Sequence, residues 1–513
     1  MRQAVGRKQA VGRSGGRAKQ AVRRSGGQAV GLGRCAAVLA VLGVFLSAHP
    51  PDRLTAQAVD RSSPPTLPPP PALQLPAVRE ATLPNGLELR VVEMHKVPVV
   101  DVQVVLDAGS VRDPADLAGL ATFTATMLQQ GAGKRGALEI ADQAAFLGAQ
   151  LNSFANLDVA TVSVHVPKRR LEPALDLLAD VLLRPTFPDS EVARQRELRR
   201  AQIVQQGDNP VAIASIAFPA VVYGAAHPYG RPLTGTESST GALSRDRVAE
   251  FYRAYYRPNA ARILVVGDVT LAEARRMVAA RLGAWQRGDV PAAAATVPPP
   301  PVARAVYLVD KPGAAQSVIR IGHVGIARSN PDYFALQVLN TILGGAFTSR
   351  LNQNLRETHG YTYGAFSQFS AGRLAGPFVA SASVVTAKTD SSLIEFLKEL
   401  RRVRDEPIPD AELAKAKSYI TLGLPGEFET TASAAARFRE LLVYGLPLDY
   451  YAHYIDRIDA VTAAEVLRVA RRYIDPEHFD IVVVGDKGQI EAGIKALNEG
   501  PIVYRDMWGQ EVK

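Results

Sequence analysis

The feature that most constrains the fold is an internal echo. AYYRPNAARILVVGD (254–268) and RRYIDPEHFDIVVVGD (471–486) repeat one another in type, order and spacing, with nine positions from Pro258 to Gly267 and nine from Pro476 to Gly485. In each, apolar residues at helical spacing (Val248, Phe251, Tyr252, Tyr255; Val466, Val469, Ala470, Tyr473) run into a proline. A run of apolar β-formers then ends in Gly-Asp. A 3.6-residue period, a helix breaker and a β-rich run read as helix, stop and strand. Such a match between unrelated segments is a poor coincidence, so the chain is expected to be two copies of one unit.

The opposite ends of the copies agree. VPVVDVQVVLDAGS (97–110) and AAQSVIRIGHVGI (314–326) read as alternating strands, each preceding a helix, Asp116–Leu128 and Asp332–Leu343. The expected fold class is α+β, with two tandem homologous α/β layer-sandwich domains, each an antiparallel-rich sheet covered by helices. Two proline-dense stretches frame the copies, SSPPTLPPPPALQLPAVR (62–79) and VPAAAATVPPPPV (290–302). Proline at that density favours an extended, semi-rigid spacer. The expected organisation is 1–58 leader, 59–81 linker, 82–289 first domain, 290–302 linker and 303–513 second domain.

The net charge of +9 would point towards nucleic acid if it were spread over the folded part. It is not: residues 1–58 hold ten of the 59 Lys and Arg and one of the 50 Asp and Glu, leaving 49 of each sign in the remainder. That front segment has a basic region, an apolar stretch from Cys35 to Ala48 and the small-x-small site Ala56-Gln57-Ala58, the layout of a cleaved export signal. The apolar stretch falls short of the roughly 20 residues needed to span a bilayer. A basic nucleic-acid arm, or a start site assigned too far upstream, are the competing accounts of the long basic region. With Cys35 the only cysteine, the mature chain is expected to have no disulfide, no thiol nucleophile and no Cys-type zinc site. Its expected place is periplasmic or secreted.

Further landmarks are PNGLELRVVE (84–93), AGLATFTATML (118–128), LGAQLNSFANLD (147–158), HPYGRPLTG (227–235) and LGGAFTSRLNQNLRETHGYTYGAFS (343–367). In this order and spacing they resemble the insulinase/pitrilysin-like metallopeptidases, whose motif is H-x-x-E-H. The resemblance implies that the helix at 119–128 should hold two zinc-binding His and a Glu acting as general base. Here Thr122 and Thr126 stand at the His positions and Ala125 at the base. In DSEVARQRELRRAQIVQQGDNP (189–210) the resemblance places Gln202 at the third ligand and Gln195 at its supporting acid. Threonine hydroxyls and neutral amides are poor partners for a dication. No two of the eight His lie within five positions of each other, and His227 and His359 read as turn or packing residues.

The resemblance also implies an Arg and a Tyr seven positions apart that steady the substrate carbonyl and oxyanion. Arg356 and Tyr363 keep that spacing, and Gly344 and Gly345 lie in the matched loop before them. From spacing alone, a surface ion pair and a packed strand residue would be the better account; the matched segment around them favours the substrate-side pair instead. Asn152, Ser153, Phe154 and Ala155 match what the resemblance implies is an edge strand that takes up peptide as an added strand; an ordinary strand following a helix is the equal alternative. The implied function is a non-zinc-binding subunit, inactive alone, that pairs with a sister chain carrying H-x-x-E-H and zinc to hydrolyse peptides. A catalytically inactive peptide-binding or scaffold protein of the same fold is the alternative. No cofactor is expected in this chain, and no nucleic acid or stable membrane span.

Overall fold

A computed structural model describes residues 73–293 and 296–512. The leader expected at 1–58 and most of the first linker lie outside the described residues. Residues 69–513 form one compact unit that contains both copies.

The first copy contributes β1 (Val78–Thr82), β2 (Glu88–Glu93), β3 (Val99–Leu106), β4 (Gln150–Ala155), β5 (Ala160–Pro167) and β6 (Ala261–Gly267). They form a six-stranded sheet in the order β1-β2-β6-β3-β5-β4. The second contributes β7 (Ala305–Asp310), β8 (Gln316–Val324), β9 (Thr362–Phe369), β10 (Pro377–Val385), β11 (Asp480–Gly485) and β12 (Ile502–Arg505). Their order is β9-β10-β8-β11-β7-β12. Five strands therefore superpose in order and direction: β2 and β6 are parallel as β7 and β11 are, and the remaining pairs are antiparallel in both. Only the last edge differs, filled from upstream by antiparallel β1 and from downstream by parallel β12.

The helices repeat as well. The first copy has α1 (Leu120–Met127), α2 (Leu171–Leu183), α3 (Asp189–Gly207), α4 (Pro210–Tyr223) and α5 (Arg245–Tyr255). The second has α6 (Tyr333–Asn340), α7 (Thr389–Asp405), α8 (Asp410–Gly423), α9 (Thr431–Tyr444) and α10 (Ala463–Tyr473). The echo noticed in the sequence is α5 and β6 in one copy, α10 and β11 in the other. Pro258 and Pro476 each open the short 3₁₀ turn between helix and strand.

The outer layers depart from two self-contained sandwiches. Inner residues Ile263 and Val265 of β6 join the core of their own copy. Outer residues Leu264 and Val266 pack instead on Ala434, Ala435, Phe438 and Leu441 of α9, a helix of the other copy. Reciprocally, α4 lays Ile213, Ala214, Ala217 and Phe218 on Val482 and Val484 of β11 and Val318 of β8. Each sheet thus borrows a helix from its sister. This accounts for the unbroken apolar runs ILVV and IVVV, since a strand covered on both faces has no solvent side. It also corrects the alternating reading of β3: Asp101 and Gln103 are buried, paired with His165 at 3.0 Å and with Arg439 of α9 at 3.3 Å.

Helix ends follow local chemistry. Asn209 accepts from the Val211 and Ala212 amides with Pro210 at the first helical position, so Asp-Asn-Pro is the start signal of α4. The helix expected at Asp116–Leu128 begins only at Leu120, because the Asp113 carboxylate takes the Gly119 and Ala121 amides at 2.9 and 2.7 Å and fixes a turn there. The helix expected at Asp332–Leu343 is α-helical to Asn340 and then widens to a π turn over Thr341–Gly345. Among the described residues no helix is long and apolar enough to cross a membrane.

Candidate functional site

Two groups of side chains, one per copy, correspond to the positions singled out in the sequence. In the first, α1 packs against the edge strand β4 and against α3. Thr122 and Thr126 are half-buried on α1, while Ala125 is fully buried. The Thr122 hydroxyl donates to the Leu233 carbonyl at 2.7 Å, and that of Thr126 folds back on the Thr122 carbonyl at 3.0 Å. On α3, Gln195 is half-buried and Gln202 exposed.

The residue that sequence reasoning missed is Arg199. It lies four positions after Gln195 and three before Gln202, on the same helix face. Its Nη1 donates to Thr122 Oγ1 at 2.9 Å, to the Gly119 carbonyl at 3.1 Å and to the Thr234 carbonyl at 3.4 Å. Its Cζ stands 5.2 Å from the centroid of Phe123. Burial pulls the guanidinium down to about 10, opposed by the nearby Asp113 carboxylate, so it stays charged at neutral pH. The helical register of three long polar residues was the signal that would have found it.

These groups do not fit a zinc ion. Two hydroxyls, an exposed amide and an alanine offer no anion and no imidazole, and a fixed cation bonds to the first of the four positions. Among the described residues no three of His, Cys, Asp and Glu converge as a metal site requires. His227 accepts from the Tyr229 amide at 3.1 Å and stacks on Tyr223, with burial holding its basicity down. His359 stacks on Tyr361.

Asp113 sits behind this group. Burial raises its carboxyl to about 7, against the pull of the Ala121 and Gly119 amides and of Arg231 and Arg199. A carboxyl whose folded value exceeds its unfolded one, near 3.8, binds its proton more tightly when folded. The stability it adds is complete below the unfolded value and is lost as pH rises through the folded value. Asp480 of β11, raised to about 6 by burial, acts with the same sign. Thermal midpoints of wild type and Asp113→Asn, measured from pH 4 to 7.5, should show a shallower decline with rising pH in the variant. Parallel curves would contradict this assignment.

Strand β4 pairs with β5 alone, from Gln150↔His165 to Ala155↔Ala160, so its other edge is unpaired within the sheet. Asn152 and Phe154 are exposed, Ser153 and Ala155 half-buried. The Arg439 guanidinium lies 5.7 Å from the Phe154 ring.

The second group occupies the equivalent edge, β9. Gly344 is buried where a Cβ would overlap the Ser367 backbone amide, which accounts for a glycine there; Gly345 is exposed. Residues Gln353–Thr358 form a second π turn, with the His359 amide reaching back to the Asn354 carbonyl. Wide turns of this kind re-aim side chains and recur at functional sites. This one carries Arg356, whose Cζ rests 4.4 Å from the Phe347 centroid. Arg356 Nη1 is shielded from water, lies 3.4 Å from the Glu357 carboxylate and completes no hydrogen bond. The β9–β10 register breaks between Thr362 and Ala365. The Thr362 hydroxyl donates to the Ser383 carbonyl and accepts from the Gly364 amide. On this bulge Tyr363 is 91% exposed. Among the described residues, no hydrogen bond or ion pair joins Arg356 or Tyr363 to the α1–α3 group.

Comparison with known proteins agrees with this architecture. The model of the insulinase family (peptidase family M16) matches residues 90–237, and that of the peptidase M16 inactive domain matches residues 242–420. An uncharacterized zinc protease of Mycobacterium leprae is 28% identical, the match covering 80% of this chain and 92% of that protein. A probable mitochondrial-processing peptidase subunit beta of Arabidopsis thaliana is 26% identical, over 80% of this chain and 79% of that protein. The crystal structure of a peptidase M16 inactive domain from Pseudomonas fluorescens matches with a TM-score of 0.75 at 26% identity, covering 80% of this chain and 98% of that one. That of a protease from Helicobacter pylori gives a TM-score of 0.75 at 21% identity, covering 80% and 100%, and speaks to the fold alone. With two six-stranded sheets that share five strands in order and direction, and both family models matched in order, the chain belongs to the insulinase-like peptidase family.

Proposed function

We propose that this chain is the non-zinc-binding member of a two-chain peptidase. It offers Arg356 and Tyr363 to a peptide held by a sister chain with an intact H-x-x-E-H and its zinc. The observation that carries the reading is Arg356: it is propped on Phe347, with one shielded nitrogen lacking a hydrogen-bond acceptor, close in sequence to a fully presented Tyr363. A guanidinium so placed would receive a carbonyl oxygen or the charge that grows on it, and a phenol would donate beside it. The threonines, alanine and glutamines at Thr122, Ala125, Thr126, Gln195 and Gln202 supply neither ligand nor base. Water activation is therefore assigned to the partner. The basic and apolar leader supports assembly beyond the inner membrane, as a periplasmic or secreted protein.

The test is purification from the native host. A sister insulinase-family chain should co-purify, zinc should follow that chain, and peptide digestion should require both. Peptidase activity of the isolated, metal-free chain would sink the proposal. The unpaired edge of β4 supports a second reading, a peptide-holding scaffold of the same fold. In that case peptides would bind the isolated chain and no combination of chains would cleave them.

A further inference from the structure

The resemblance places zinc ligands on both α1 and α3, so that a metal ion would join the two. Here they are joined by a side chain. Arg199 leaves α3, stacks on Phe123 and hydrogen-bonds both the Thr122 hydroxyl and the Gly119 carbonyl at the start of α1. Through the Thr234 carbonyl it also holds the HPYGRPLTG loop, and the Thr122 hydroxyl returns a bond to Leu233 of the same loop. One guanidinium thus fastens two helices and a loop.

We propose that Arg199 is the resident cation of the former metal site, and that it closes the site to dications even where the ligand positions are restored. Two arguments carry this. The first is space: Nη1 lies 2.9 Å from Thr122 Oγ1, so a His ring growing from the same Cβ in the same direction would run into the guanidinium. The second is charge: a dication bound next to a fixed guanidinium, in a place partly shielded from water, meets repulsion that water would otherwise screen. The contact between α1 and α3 then contains a cation where the resemblance would have one bind. The inference rests on the positions of these residues and stands whether or not a sister chain exists.

The experiment restores Thr122→His, Ala125→Glu, Thr126→His, Gln195→Glu and Gln202→Glu in the full chain, with and without Arg199→Val. Zinc is the probe, read by elemental analysis after dialysis and by competition with a chromophoric chelator, with circular dichroism as the check on folding. The set that also carries Arg199→Val should hold one zinc per chain. The set that keeps Arg199 should bind at least about 100-fold more weakly, for reasons of charge and ligand geometry. Equal affinity in the two sets, or no zinc in either while both are folded, overturns the proposal. Should the restored sets fail to fold, the unmodified chain gives an independent reading. Arg199→Val alone should speed amide exchange across Ala121–Met127 by about tenfold, with the second copy unchanged. Unchanged exchange there overturns it.

Discussion

Phe218→Ala is expected to lower the unfolding free energy by about 3–5 kcal/mol, the range for emptying a large buried aromatic site. Phe218 is 1% exposed on α4 and packs into the outer face of the second sheet. Its ring lies over Gly322 of β8, where a Cβ would come to 3.0 Å from it and closer still to the Phe378 carbonyl. Because α4 belongs to the first copy and its bed to the second, the loss should not fall on one copy alone. Urea unfolding followed by tryptophan fluorescence and by circular dichroism should give one transition, shifted as a whole. Phe438→Ala, on the reciprocal helix α9 beneath Leu264 and Val266, should behave alike. Two separated transitions, or a loss below about 1 kcal/mol in a site this buried, would show that the exchanged helices are not the bond between the copies.

That exchange also marks where the sequence stopped being legible. Helix, proline and strand at 245–267 and 463–485 could be read because each signal is local: a period, a breaker and a β-rich run. The α4 segment PVAIASIAFPAVVY is apolar on every side. Such a helix must be buried, but nothing in its pattern names the sheet that buries it. For the same reason β3 read as alternating, since Asp101 and Gln103 look like solvent-facing residues until His165 and Arg439 are brought to them. The site divided along similar lines. Thr122, Ala125, Thr126 and Gln202 were identified by position against a known motif. Arg199 was readable only as a register on α3, since its Thr234 acceptor is 35 residues away and belongs to a loop whose path is set by the whole fold. Arg356 and Tyr363 were singled out by the matched segment around them, since their spacing alone fits a surface ion pair and a packed strand residue. The π turn and the β-bulge that aim them were not, because each is an insertion into a regular element that shows itself only when its partner strand is in place.

Those two irregularities define what removal of Arg356 should do. In the assembly with a zinc-bearing sister chain, Arg356→Ala should lower kcat/KM for peptide cleavage by roughly 100-fold, the scale of one lost charge-stabilising donor. Arg356→Lys should recover little, because a lysine ammonium cannot reproduce the planar fork that lies on Phe347. Phe347→Ala should fall between wild type and Arg356→Ala, since the guanidinium remains but loses the ring that holds it in place. Tyr363→Phe removes only a hydroxyl from a side chain that is 91% exposed, so stability and pairing with the sister chain should stay as they are while the rate drops. The discriminating readout is the combination. If Arg356 served only as a surface ion pair with Glu357, Arg356→Ala and Glu357→Ala would have equal and small effects on rate. If it serves the reacting peptide, the Arg356 variant alone loses activity, and it does so with assembly, zinc content of the sister chain and thermal midpoint unchanged. A full rate with both Arg356→Ala and Tyr363→Phe in an intact assembly would leave the second copy no chemical part in the reaction and return the chain to the role of a peptide-holding scaffold.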